Sequence, residues 1–175
     1  NGTDNSSSLA TVLFSNTVGD TTPVGAIIIT GNLNLDGNII KTSDSTAGAT
    51  SINVSGTSNL GADVTTTGSQ TYTGAVILSA NNTLTTTSNG SVSFADTTDS
   101  DATDRTLTIT TNGTGDVSFT GAVGDTGGLN GLTISTNDFN AAALTVGGTI
   151  SITNTGTSSE ITGVIANDGD AAVFT

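Results

Sequence analysis

Four aspartates, Asp96, Asp99, Asp101 and Asp104, fall within nine residues of the stretch ADTTDSDATDR. Closely spaced carboxylates on a loop are one way to gather the about six to eight oxygen ligands that Ca²⁺ takes. The stretch lacks the glycine and the closing glutamate of an EF-hand loop, and also the Gly-Gly-x-Gly-x-Asp repeat of calcium-binding rolls. The alternative is a solvated insertion between two strands, its repulsion softened by Arg105. Asp168 and Asp170, in NDGD, are a second and weaker candidate. Calcium is the one cofactor these residues suggest; otherwise none is expected.

Other chemistry finds few carriers. The chain has no His and no Cys, so imidazole and thiolate metal sites and the Ser-His and Cys-His nucleophile pairs cannot be assembled. No glycine-rich loop ends in Gly-Lys-Ser/Thr. A glycosidase needs two opposed carboxylates, one with a raised pKa. Glu160 is the only Glu and Tyr72 the only Tyr, while most Asp residues stand beside Gly or Thr, as turn residues do. The expectation is a protein without enzymatic activity. Lys41 and Arg105 are the only basic residues against 15 acids, and the net charge of −13 repels nucleic acid and anionic membranes alike. No apolar run approaches the about 18 residues that a membrane-spanning helix requires.

The elements that position these residues are short strands. Hydrophobic residues make up 33% and charged residues 10%, which is too little charge for a typical disordered chain. The remainder is dominated by Thr, Ser, Asn and Gly, suited to strand surfaces and turns. FSNTVGDTTPVGAIII (14–29) recurs as FTGAVGDTGGLNGLTI (119–134), and TLTTTSNGSVSF (83–94) recurs as TLTITTNGTGDVSF (106–119). Leu84, Leu107, Leu132 and Ile150 begin similar strands at separations of 23, 25 and 18 residues, and Ile52 begins another. Such a period predicts an all-β fold, a parallel β-solenoid (β-helix) with about 18–25 residues per coil. The competing fold is an antiparallel β-sandwich of pilin type.

Alternation sets the faces. Leu107 and Ile109 point one way, Thr106, Thr108 and Thr110 the other; Leu132 with Ile134 and Ile150 with Ile152 repeat the pattern. These aliphatics, with Phe14, Phe94 and Phe119, are the expected core. Thr106, Thr108 and Thr110, stacked near Thr83, Thr85 and Thr87, form a hydroxylated outer face, a candidate surface for glycan or ice. The whole of 1–175 reads as one solenoid domain. Neither end carries a capping helix, so terminal strands at about 8–18 and 171–175 are expected to engage neighbouring coils or subunits. The chain begins at Asn1, as a processed product or excised segment would.

LGADVTTTGSQTYTGAVILSANNTLTTTSNGSVSF (60–94) and DVSFTGAVGDTGGLNGLTI (116–134) resemble repeats of large bacterial exoproteins of the filamentous-haemagglutinin and autotransporter-passenger type. The resemblance implies a right-handed parallel β-helix and a place at the cell surface or in an extracellular matrix. The role it implies is an adhesin, fibre or matrix filament. The expected partners are other copies stacked head to tail or adjoining coils of a larger parent protein, with a glycan or host surface as ligand.

Overall fold

The computed structural model describes residues 9–41, 46–167 and 173–174, and among them there is no helix. The strands are short and parallel, stacked as a β-solenoid of about seven turns. Each turn visits three faces in the same order. Face 1 stacks Thr11–Phe14, Asn32–Leu35, Ser58–Leu60, Val76–Leu78 and Thr98–Ser100, and continues through single bridges from Thr98 to Val123 and on to Leu144. Face 2 stacks Val64–Thr66, Asn82–Thr86, Arg105–Thr110, Leu129–Thr136 and the greater part of Leu144–Asn154. Face 3 runs from Val24–Ile29 through Ala49–Val54, Gln70–Tyr72, Val92–Phe94, Val117–Phe119 and Phe139–Ala141 to Glu160–Ile161. The one antiparallel pair, Ile40–Lys41 with Thr46–Ala47, is an outgrowth between faces 2 and 3 of the second turn.

The interior follows from strict alternation, because successive side chains of a strand point to opposite sides. Val64, Leu84, Ile109, Ile134 and Ile152 form one inward file on face 2, all in register. Face 3 carries the large side chains. Tyr72, Phe94 and Phe119 stack one above the other, with ring centroids 5.3 and 4.5 Å apart, and Phe139 meets Phe119 edge-on at 6.2 Å. Offset or edge contacts of this kind add about 0.5–1.5 kcal/mol each beyond the area they bury. Burial pushes the Tyr72 phenol well above its ordinary range, and its hydroxyl donates to Gln70 Oε1.

The corners are held from inside and outside. Inside, between faces 2 and 3, the hydroxyls of Thr66, Thr86 and Thr111 donate to the carbonyls of Gly68, Gly90 and Gly115 at 2.6–2.7 Å. The Thr-rich strings therefore divide: some threonines close corners from within, and the others face outward. Outside, polar side chains tie each corner to the next. The backbone N–H of Ser91, Asp116, Asp138 and Ser158 donates in turn to Ser69 Oγ, Ser91 Oγ, Asp116 Oδ1 and Asp138 Oδ1. This staple climbs one corner of the molecule.

Register partners are separated by as few as 17 residues (Leu129 to Val146) and as many as 25 (Phe94 to Phe119). That variation corrects two sequence expectations. Leu84 pairs with Ile109, two residues beyond the Leu107 chosen by strand starts, and Leu107 pairs with Asn82. Ile52 belongs to face 3, where it pairs with Ile27 and Gln70, apart from the face-2 file of Leu107, Leu132 and Ile150. The long repeat is also displaced. Phe14, Val18 and Ile29 lie on faces 1, 2 and 3, whereas Phe119, Val123 and Ile134 lie on faces 3, 1 and 2. The two copies share a corner, with Gly19 and Gly124 both at positive φ (78° and 71°), but sit one face apart. A methyl group at either glycine would collide with the backbone oxygen of Gly48 or Thr145, so the tight turn itself demands Gly.

Candidate functional site

The outward side of face 2 is the hydroxyl surface. Thr83 pairs with Thr108, Thr108 with Thr133 and Thr133 with Ser151; beside them run Thr85, Thr110, Ser135 and Thr153, while Thr65, the first of that file, is buried. The expected stacking of Thr106 on Thr83 and of Thr110 on Thr87 is thus shifted by two residues. The Thr106 N–H instead donates to Asn81 Oδ1 of the turn below, at 3.0 Å. Coil lengths vary, but the excess is looped out at corners, so both outward files stay in register. Parallel neighbours at about 4.8 Å and alternate residues at about 6.6 Å give the hydroxyls a two-dimensional repeat.

The aspartate quartet does not converge. Asp99 is 3% exposed, and its Oδ1 accepts the backbone N–H of Thr126 and Gly127 from the next turn. Asp101 takes both its oxygens to Arg105, at 3.0 and 2.9 Å, and also accepts from the Thr103 N–H. That guanidinium first, and then the Thr103 amide, hold the Asp101 carboxyl below the usual carboxylate range. Asp96 accepts from the N–H of its neighbour Thr97, and Asp104 is exposed. Among the described residues no group of three or more His, Cys, Asp or Glu is placed to hold a metal ion. Asp168 and Asp170 lie outside the described residues.

Three further carboxylates, Asp63, Asp116 and Asp138, act as corner ties, which sequence proximity does not reveal. Asp116 Oδ1 accepts from both Asn137 Nδ2 and the Asp138 N–H, and Asp63 Oδ1 accepts from the Thr83 N–H at 2.7 Å. The expected core residues Phe94, Leu107, Ile109, Phe119, Leu132, Ile134 and Ile150 are buried; Phe14 and Ile152, in the outer turns, are half-buried.

Among the described residues three polar side-chain atoms are buried without a partner: Ser58 Oγ, Asn82 Oδ1 and Thr98 Oγ1. Ser58, Val76 and Thr98 share one inward file of face 1. Nothing in their surroundings gives the two hydroxyls a chemical task.

The two outermost turns differ from the rest. Thr11–Phe14 and Val24–Ile29 each pair with a strand on one side only among the described residues. Val12 and Ile165 point into the core position of their turns and remain 37% and 40% exposed. Val173–Phe174 continues face 2 by pairing with Thr149 and Ile150; Ala171 and Thr175 lie outside the described residues. No protein-family model, no curated protein and no solved structure matches this chain.

Proposed function

We propose that the chain is a non-enzymatic structural element, a β-solenoid subunit or segment of a bacterial surface fibre, adhesin or matrix filament outside the cell. The observation that carries this reading is the pair of open end turns. Among the described residues their strands have backbone groups without a strand partner and apolar side chains left exposed, and the surface that fits such an edge is another coil of the same kind. A second copy stacked head to tail, or adjoining coils of a parent protein, supplies that coil. Head-to-tail contact does not close on itself, so repetition gives a filament. The exoprotein resemblance supports the extracellular setting, and the charge of −13 supports a partner other than nucleic acid. Electron microscopy of the purified chain across a concentration series tests this. Rods lengthening in steps of about 34 Å, seven rungs at about 4.8 Å, are expected. Particles that stay single at every concentration, or turnover of a polysaccharide that is lost on changing Asp or Glu, would contradict it.

The in-register hydroxyl files favour a second reading, a face that orders water at an ice surface. Thermal hysteresis abolished by Thr108→Tyr supports it; its absence in the wild-type chain removes it.

A further inference from the structure

The geometry points to a binding site for a neutral polysaccharide in the groove on face 1, centred on Asn34 and Asn59. Neither the fibre reading nor the hydroxyl face involves these residues. The groove is shallow and open to solvent, with a volume of about 360 Å³, within the range of small-ligand sites. Asn34 and Asn59 are register partners one turn apart, and Asn59 Nδ2 donates to Asn34 Oδ1 at 2.7 Å. That bond orients both amides. Asn34 Nδ2 and Asn59 Oδ1 form no further bond among the described residues, so the bonded pair leaves a donor at its lower end and an acceptor at its upper end. Hydroxyls of a sugar chain laid along the stack match both ends, since each hydroxyl both donates and accepts.

The flanks suit the same ligand. In this outward file Leu13 lies one turn below the amides and Ile77 one turn above, 55% and 37% exposed. They offer an apolar step to the C–H face of a sugar on each side, and Thr57 adds a hydroxyl at the rim. A peptide fits less well. Asn32–Leu35 and Ser58–Leu60 each have a paired strand on both sides, so no edge is left for strand addition. An anionic sugar meets a chain of net charge −13 and is repelled. The amides therefore select an uncharged, polyhydroxylated chain.

The test follows the side-chain amide signals of the ¹⁵N-labelled protein during titration with neutral hexasaccharides of glucose, mannose, galactose and N-acetylglucosamine, with oligogalacturonate as the anionic control. At least one neutral sugar is expected to shift the Asn34 and Asn59 signals saturably, with a dissociation constant of about 1 mM. Asn59→Leu should weaken that binding about tenfold. Ile77→Ser, outside the amide pair, should weaken it several-fold with backbone signals of faces 2 and 3 unmoved. Absence of shifts with all four sugars up to their solubility limit overturns the proposal. So does binding unchanged in both variants, or equal binding of oligogalacturonate. None of these readouts depends on whether the chain forms filaments.

Discussion

Phe14 and Phe119 open the same local sequence, a Phe followed four residues later by Val-Gly-Asp, and meet opposite surroundings. Phe119 lies in the middle of the stack, 2% exposed, with Phe94 parallel on one side and Phe139 edge-on at the other. Phe14 lies in the first turn and, among the described residues, is covered only from above by the turn carrying Leu35. The motif builds an identical glycine corner in both places, yet the energy it secures depends on the number of neighbouring turns. In a solenoid each turn contacts only those adjacent to it, so a central turn is stabilised twice and an end turn once.

The sharpest way to break that contrast is truncation of the two rings. Phe119→Ala removes a ring from the aromatic file and is expected to cost about 3–5 kcal/mol in urea unfolding. Phe14→Ala, half-buried at the end, should cost about 1 kcal/mol or less. Equal losses would show that the end turns are covered as well as the middle.

A smaller effect is expected at the corner staple. Asp116→Ala leaves the Asp138 N–H and the Asn137 amide without their acceptor, and should cost about 1–3 kcal/mol. The same change at the exposed Asp104, which ties no corner, should be silent in the same unfolding measurement. Thr98→Val goes the other way. It removes a buried hydroxyl that has no partner and keeps the side-chain shape, so stability should be unchanged or rise by up to about 1 kcal/mol. A loss above that would mean the Thr98 hydroxyl is bonded in solution.

The smallest expected effect belongs to Asp101. Its folded-state pKa is depressed, chiefly by Arg105. Its contribution is therefore present above the unfolded value of about 4 and lost as pH falls through the folded one. Asp101→Asn should lower the urea midpoint slightly at neutral pH, with the difference vanishing in strong acid and shrinking with salt. A difference that grows on acidification would contradict the pairing with Arg105.

These comparisons also mark how much was legible in the sequence. Inside and outside could be read directly, because alternation is local: Leu107 with Ile109 inward and Thr108 outward required no knowledge of the neighbouring turn. Address could not. Each face accepts the same alternating pattern, and turns of 17 to 25 residues erase any fixed count, so strand starts set Leu84 against Leu107, two residues short of its partner Ile109. In the acidic stretch, nearness along the chain is not nearness in space. Asp99 sits on a strand under the next turn, while Asp101 closes a bend with Arg105. Corner ties join residues 20 to 28 apart, such as Asp138 with Ser158 and Asp99 with Gly127, and become visible only with the register in hand. The amide pair of face 1 did leave a trace: Asn-Leu at 34–35 recurs at 59–60, one turn on.

Hydrogen exchange followed strand by strand tests most directly the claim that the ends are open while the middle is closed. In dilute monomeric protein, amides of Gln70–Tyr72, Val92–Phe94 and Val117–Phe119 should exchange slowest. Those of Thr11–Phe14 and Val24–Ile29 should exchange orders of magnitude faster, because end turns open without disturbing the centre. At concentrations where rods form, protection of the two end strands should rise toward that of the middle. End strands as protected as the centre in the monomer would show that something within the chain already covers them, and the open-end account would be wrong.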